Sequence, residues 1–333
     1  MVSLALAALV ATVSAPALGA PLYTLSGTIP LGAPDHWDYL SCDEPTGHVL
    51  VAHADHTDVI DPHAGKILAR LGGLDGAHGQ FVAPNGDIFA DSGRAGTVSV
   101  FNGKTLALRK TLRVPRDADG MTYDPVHHTL VVVAGDAKSA TLIATVAETV
   151  RETIALPGKP EAPGSDGAGT VYINIASTSH VVKLDIAAGR LTADYAVPMC
   201  QSPHGIAVDA ATHRVFTSCR NNRLVVIDTA SGRVTQTLPI ASGTDFALID
   251  LARHRVFSAN GAGSLSIFAE SPTGTLRKLA EMQTEPGART MTLDPSTGTL
   301  YLVTATPAGQ PAPGQWPSYL PGSVRLLIYK PRA

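Results

Sequence analysis

The chain has 333 residues, of which 44% are hydrophobic and only 16% charged, with a formal net charge of −3. That length supports a sizeable core in one large domain or two, and the near-balanced charge excludes an electrostatic pull toward nucleic acid or an anionic membrane surface. Gly (31) and Pro (24) are plentiful and no long stretch shows helical spacing, so the composition is one of strands and turns.

At the N-terminus, Val2 to Val13 is almost uninterruptedly apolar, and small residues follow at Ala15, Ala17, Gly19 and Ala20. Residues 1–20 therefore predict a secretory signal peptide rather than a buried strand or helix, although no Lys or Arg precedes the apolar run. The run is short for a membrane span, and no later segment qualifies. Residues 21–333 are thus expected to form one exported domain, periplasmic or secreted, with no membrane span.

Leu22 to Ile29 reads as a lone strand, after which a unit of about forty residues repeats. Four segments align without adjustment: Asp119-Gly-Met-Thr-Tyr-Asp124, His204-Gly-Ile-Ala-Val-Asp209, Asp245-Phe-Ala-Leu-Ile-Asp250 and Arg289-Thr-Met-Thr-Leu-Asp294. An apolar pair then follows in each, at Leu130-Val131, Val215-Phe216, Val256-Phe257 and Leu300-Tyr301. The same frame fits Asp38 to Asp43 and, with a shorter turn, Glu161 to Asp166; His78 opens the remaining copy, with Ala83 in place of the Asp. The seven opening residues are Asp38, His78, Asp119, Glu161, His204, Asp245 and Arg289, spaced 40 to 44 residues apart.

Within each unit a third apolar run follows, such as Leu224 to Ile227, and a fourth comes after a Gly-centred turn, such as Val234 to Leu238. Four short strands per unit make a propeller blade. The seventh unit stops at its third run, Val324 to Tyr329. Leu22 to Ile29 is expected to complete it, closing an all-β, seven-bladed β-propeller and removing the free edge of an open array.

The run Val-Phe-Thr-Ser-Cys-Arg-Asn-Asn-Arg-Leu-Val-Val-Ile-Asp-Thr-Ala-Ser-Gly-Arg-Val of residues 215–234 resembles the repeat of the bacterial YVTN/YncE-like β-propellers. The resemblance implies an exported propeller and a kinship with lactonases and with the heavy subunits of quinoprotein amine dehydrogenases. The metal-dependent lactonases use a Glu, Asn and Asp set, to which Glu161, Asn174 and either Asp245 or Asp119 correspond by position. The Trp-Asp dipeptide of the WD-repeat family occurs once, at Trp37-Asp38, and not at the end of a third strand.

In a propeller the first strand of each blade is innermost, so the seven opening residues are expected to ring one mouth of the central channel. The connections between second and third strands open on the same face, and they carry His53, Asp55, His56, Asp91, Asp136, Asn174, Arg220, Asn221 and Asn260. A concave place with convergent polar groups is where a ligand binds. His78, Glu161 and His204 form the expected metal set, for zinc or copper, with calcium favoured by a purely carboxylate and amide set. Asp38, Asp119, Asp245, Arg289 and Asn174 are the expected ligand-binding residues. His127, His128, His213 and His254 fall in turns on the opposite face and read as exposed.

Cys200 and Cys219 belong to one blade, and in an oxidising compartment they are expected to form a disulfide; the alternative is a copper or zinc thiolate pair beside His204. Cys42 reads as a buried free thiol. The insertion at residues 304–323 carries five prolines, Trp316 and Tyr319, and suits a lid over the mouth. His-Glu-x-x-His, Gly-x-Ser-x-Gly and Cys-x-x-Cys are all missing from the chain. Two classes of function therefore stand: a binding protein for a metal ion or small polar ligand, and a metal-dependent, lactonase-like hydrolase. An interaction scaffold with a protein partner on the blade faces is a third.

Overall fold

The middle strands of the repeat are apolar on both faces, and this dictates the architecture. Thr129–Ala134 is buried at every position. Val131 and Val133 pack with Ile173 and Val182 of the following unit, whereas Leu130 and Val132 pack with Phe89 and Val98 of the preceding one. Successive side chains of a strand point to opposite faces, so a sheet held between two others reads as a continuous apolar run. The outermost strand of the same sheet, Thr149–Ala155, is exposed at every residue except Ile154. The computed structural model describes residues 21–309 and 317–332; the signal-peptide expectation for residues 1–20, and Trp316, lie outside them.

Seven antiparallel sheets result, one per repeat unit, and they form the seven blades of a β-propeller. Blade 1 is built from Leu40–Asp43, His48–Asp61 and Lys66–Ala77. The run His48–Asp61 serves as both middle strands, since its first half pairs with Leu40–Asp43 and its second half with Lys66–Ala77. Ala54 sits between the halves with φ of 55°. His53 and Asp58 would be about 16 Å apart along a straight strand, yet their side chains meet at 2.7 Å, so the chain reverses there.

The Asp shared by the repeats ends the innermost strand and orders the turn after it. Asp124 accepts the N–H of His127 at 2.8 Å, Asp209 that of Ala211 at 2.8 Å, Asp250 that of Arg253 at 3.0 Å and Asp294 that of Ser296 at 2.9 Å. A short carboxylate that binds the backbone two or three residues on favours a turn over a continuing strand. His127 also brings its ring Nδ1 to 2.7 Å from Asp124, so it is tied into the turn rather than merely exposed.

Ring closure joins the two ends of the described chain. Tyr23–Gly32 pairs antiparallel with Val324–Pro331, Tyr23 opposite Pro331 and Gly32 opposite Val324, which carries the expected pairing of residues 22–29 on by Pro30 to Gly32. Ile29 and Leu31 then pack with Val49 and Val51 of blade 1 and with Val303 and Leu326 of blade 7. In blade 5, Cys200 and Cys219 form a disulfide with a Cα separation of 5.2 Å, as expected. Cys42 is free and only half-buried; burial and then the Asp294 carboxylate push its thiol up to about 12.

Candidate functional site: the channel mouth

The innermost strands converge so closely that the residue after the opening one must often be small. A Cβ on Gly79 would meet the main-chain oxygen of Asp119 at 3.0 Å, and one on Gly205 would meet the main-chain nitrogen of Ala247 at 2.2 Å. Backbone approach of that order brings the opening side chains of adjacent blades into contact. They do so in three groups.

In the first group, His78 Nδ1 lies 2.8 Å from Asp38 Oδ2 and 3.8 Å from Asp119 Oδ1. Burial disfavours the His78 charge, but the hydrogen bond to Asp38 and the charges of Asp38, Asp119 and Asp91 outweigh it and push the imidazole up to about 10. Asp119 is raised well above the usual carboxylate range, by burial first and then by the Asp38 charge. Asp91 does not line the mouth. It is buried beneath His78, accepting the N–H groups of His78 at 2.7 Å and Gly79 at 2.9 Å, and so sets the position of the opening residue.

The second group is Glu161 and His204. His204 Nδ1 is 2.9 Å from the Ser202 carbonyl; a carbonyl only accepts, so Nδ1 carries the proton and the neutral ring turns a bare Nε2 toward Glu161 Oε1, 3.7 Å away. Burial, and then the Arg220 charge, hold His204 below its ordinary value. Burial and the Asp245 charge raise Glu161 to about 7. The third group centres on Asp245, whose carboxylate receives Arg220 Nη2 at 2.9 Å and Arg289 Nε at 2.8 Å.

The expected metal trio of His78, Glu161 and His204 is therefore divided: His78 faces Asp38 and Asp119, whereas Glu161 and His204 face each other. Burial and then the charges of Asp119, Asp38, Asp245 and Glu161 lift the phenol of Tyr39 far above its normal value, so the groups share one electrostatic field. Asn174 is displaced from the expected ligand set. It is fully buried behind the ring, its amide donating to the carbonyls of His204 at 2.7 Å and Gly205 at 3.1 Å while its oxygen accepts from Thr217 at 3.0 Å. Asn260 likewise turns into blade 6, toward Ser264, Ser266 and Glu281, and Asp136 pairs with Lys159 on the surface.

Two features were not read from the sequence. One is an aromatic wall: Trp37 packs edge-on against Tyr319 at 4.7 Å, and Arg289 stacks over the Trp37 ring at 5.2 Å. These residues, with Asp38, His78 and His36, line a cavity of about 260 Å³ at the mouth. Trp37 precedes the first opening residue, which was the available signal; Tyr319 comes from the insertion, whose ends pair through Pro307 and Tyr319. The other is the lumen. Below the ring a cavity of about 390 Å³ is lined largely by apolar and aromatic side chains, including Phe81, Met121, Tyr123, Ile206 and Phe246. The site is thus a charged collar over an apolar shaft.

Fold and site define a seven-bladed β-propeller with a polar channel mouth. Among solved structures, the chain is similar to streptogramin B lyase (14% identity, TM-score 0.71, covering 93% of this chain and 98% of that one). It is similar also to the RRP9 WD40 repeats (12%, TM-score 0.77, covering 91% and 97%). A third likeness is to hydrazine synthase of Kuenenia stuttgartiensis (14%, TM-score 0.70, covering 80% and 92%). At such identities the likeness is one of fold. No protein-family model and no curated protein matches the chain.

Proposed function

We propose that this chain is an exported binding protein whose channel mouth holds a divalent metal ion and a small polar ligand. The observation that carries the reading is the convergence of Asp38, His78 and Asp119 from three blades, with one ligand atom of each within 4.8 Å of the others. One imidazole and two carboxylates suit zinc or copper better than calcium, which prefers oxygen alone. The adjoining cavity supplies a place for an organic ligand: an aromatic wall, a guanidinium and the buried Trp37 indole N–H, which has no acceptor among the described residues. The disulfide fits an oxidising compartment, and no helix among the described residues is long and apolar enough to cross a membrane. The resemblance of residues 215–234 to YVTN/YncE-like repeats points the same way.

Elemental analysis and calorimetry on untagged protein purified without chelator test this reading. A stoichiometric metal whose affinity falls at least tenfold in Asp119→Asn supports it; metal content and affinity unchanged in that variant reject it.

A lactonase-like hydrolase is the second reading, favoured by the Glu161–His204 pair. A carboxyl raised to about 7 is matched to proton transfer near neutral pH. A metal ion in the first group would polarise a carbonyl or activate water, with Glu161 moving the proton. Turnover of a lactone panel that is lost on chelation and in Glu161→Gln would favour the hydrolase over the binder.

A further inference from the structure

We propose that His53, His56 and Asp58 form a second cation site, distinct from the channel mouth, for Zn²⁺ or a similar transition-metal ion. The three side chains belong to the reversal within His48–Asp61 of blade 1, and each is more than nine-tenths buried. One ligand atom of each lies within 4.8 Å of the others, and the two rings stand 4.7 Å apart.

The orientation of the imidazoles argues for a metal over a plain hydrogen-bonded cluster. A metal-ligating histidine donates its remote N–H to a carbonyl or carboxylate and turns its other nitrogen to the ion. His53 Nε2 lies 2.5 Å from the Pro34 carbonyl, so Nε2 carries the proton and Nδ1 faces Asp58 Oδ2 at 2.7 Å. His56 Nδ1 lies 2.7 Å from the Asp55 carboxylate, which turns Nε2 inward. That Nε2 is buried, 3.3 Å from Asp58 Oδ1, and makes no hydrogen bond among the described residues. Arg70 fixes the ligating carboxylate through Nε to Oδ1 at 3.1 Å, while its Nη2 donates to the Leu31 carbonyl at 2.7 Å.

Two nitrogens and a carboxylate oxygen thus converge with both remote N–H groups engaged, and water would complete a tetrahedral zinc site. Without metal, the His53 Nδ1–Asp58 contact needs a proton on Nδ1, which an incoming ion displaces to solvent. Ala54, between the ligands, borders the mouth cavity, the side from which an ion would enter. Because the carbonyls of Leu31 and Pro34 also hold the cluster, an ion here would brace the join between the closing strand and blade 1.

The test uses untagged full-length protein stripped with chelator and titrated with Co²⁺, read by visible absorption, and with Zn²⁺ in competition. The expected result is a tetrahedral Co²⁺ spectrum that is retained in Asp119→Asn and lost in His53→Gln and His56→Gln. Asp55 is largely exposed, so Asp55→Asn leaves the core intact and should weaken Zn²⁺ binding by roughly ten- to a hundredfold; this variant decides the matter if the histidine variants do not fold by circular dichroism. The proposal is overturned if the wild type gives no such spectrum, if Asp119→Asn abolishes it while folded His56→Gln keeps it, or if Asp55→Asn binds Zn²⁺ as tightly as the wild type.

Discussion

The carboxyl of Glu161 in blade 4 stands 3.7 Å from Nε2 of His204 in blade 5, and the only proton on the neutral His204 ring is held on the far side by the Ser202 carbonyl. Neither partner gains from ionising: burial lowers His204, and burial with the Asp245 charge raises Glu161 to about 7. A carboxyl whose folded value lies above its unfolded value keeps its proton longer in the folded state, so stability falls as pH rises from about 4.5 to about 7. Glu161→Gln removes that loss. Urea unfolding should find the variant more stable than wild type at pH 8, by roughly 1 to 3 kcal/mol, and no such gain at pH 4.

His78 behaves in the opposite sense. Its folded value, about 10, lies above its unfolded one, so the imidazolium bound to Asp38 adds stability that is fully present below about pH 6.5 and lost as pH rises through about 10. The side chain is 34% exposed, and solvent screening reduces the gain to about 1 kcal/mol. In chelator-treated protein, the stability gap between wild type and His78→Gln should be present at pH 6 and gone at pH 10.5.

Asn174 is a positioning residue rather than a ligand. Asn174→Ala takes the amide donor from the buried His204 carbonyl and leaves Gly205 and Thr217 only their mutual contact at 3.3 Å, which should lower stability by roughly 1 to 3 kcal/mol. Denaturant unfolding checks the size.

Denatured, unreduced protein should present one reactive thiol, Cys42, and three after reduction. Reducing the Cys200–Cys219 bond, which spans 19 residues, should lower stability by about 3 kcal/mol. A count of three thiols before reduction would contradict the bond.

Leu31 is buried at the join between the closing strand and blade 1. Leu31→Ala should lower stability by roughly 2 to 5 kcal/mol, through lost burial and the cavity left behind. Exposed Leu25, in the same strand, provides the control: Leu25→Ala should shift the unfolding midpoint little.

The architecture was legible in the sequence because a propeller repeats its hydrogen-bonding problem seven times. Most units use a carboxylate to order the turn after the first strand, as at Asp124, Asp209, Asp250 and Asp294, with Ala83 the exception, and the middle strands are apolar on both faces, as in the run Leu130 to Val133. The missing last strand was legible too, since Leu22 to Ile29 had no unit of its own. That the opening residues meet near one mouth followed from the repeat alone. Which of them touch did not, because a pairing such as His78 with Asp38 rather than with Glu161 depends on side-chain reach between adjacent blades, and no spacing along the chain encodes it. The role of Asn174 was hidden for the same reason: its position in the repeat marks the channel face, but its amide turns toward the main chain of the next blade. The His53–His56–Asp58 cluster needed both the reversal at Ala54 and the passage of Pro34 over it, a contact between segments that only ring closure brings together.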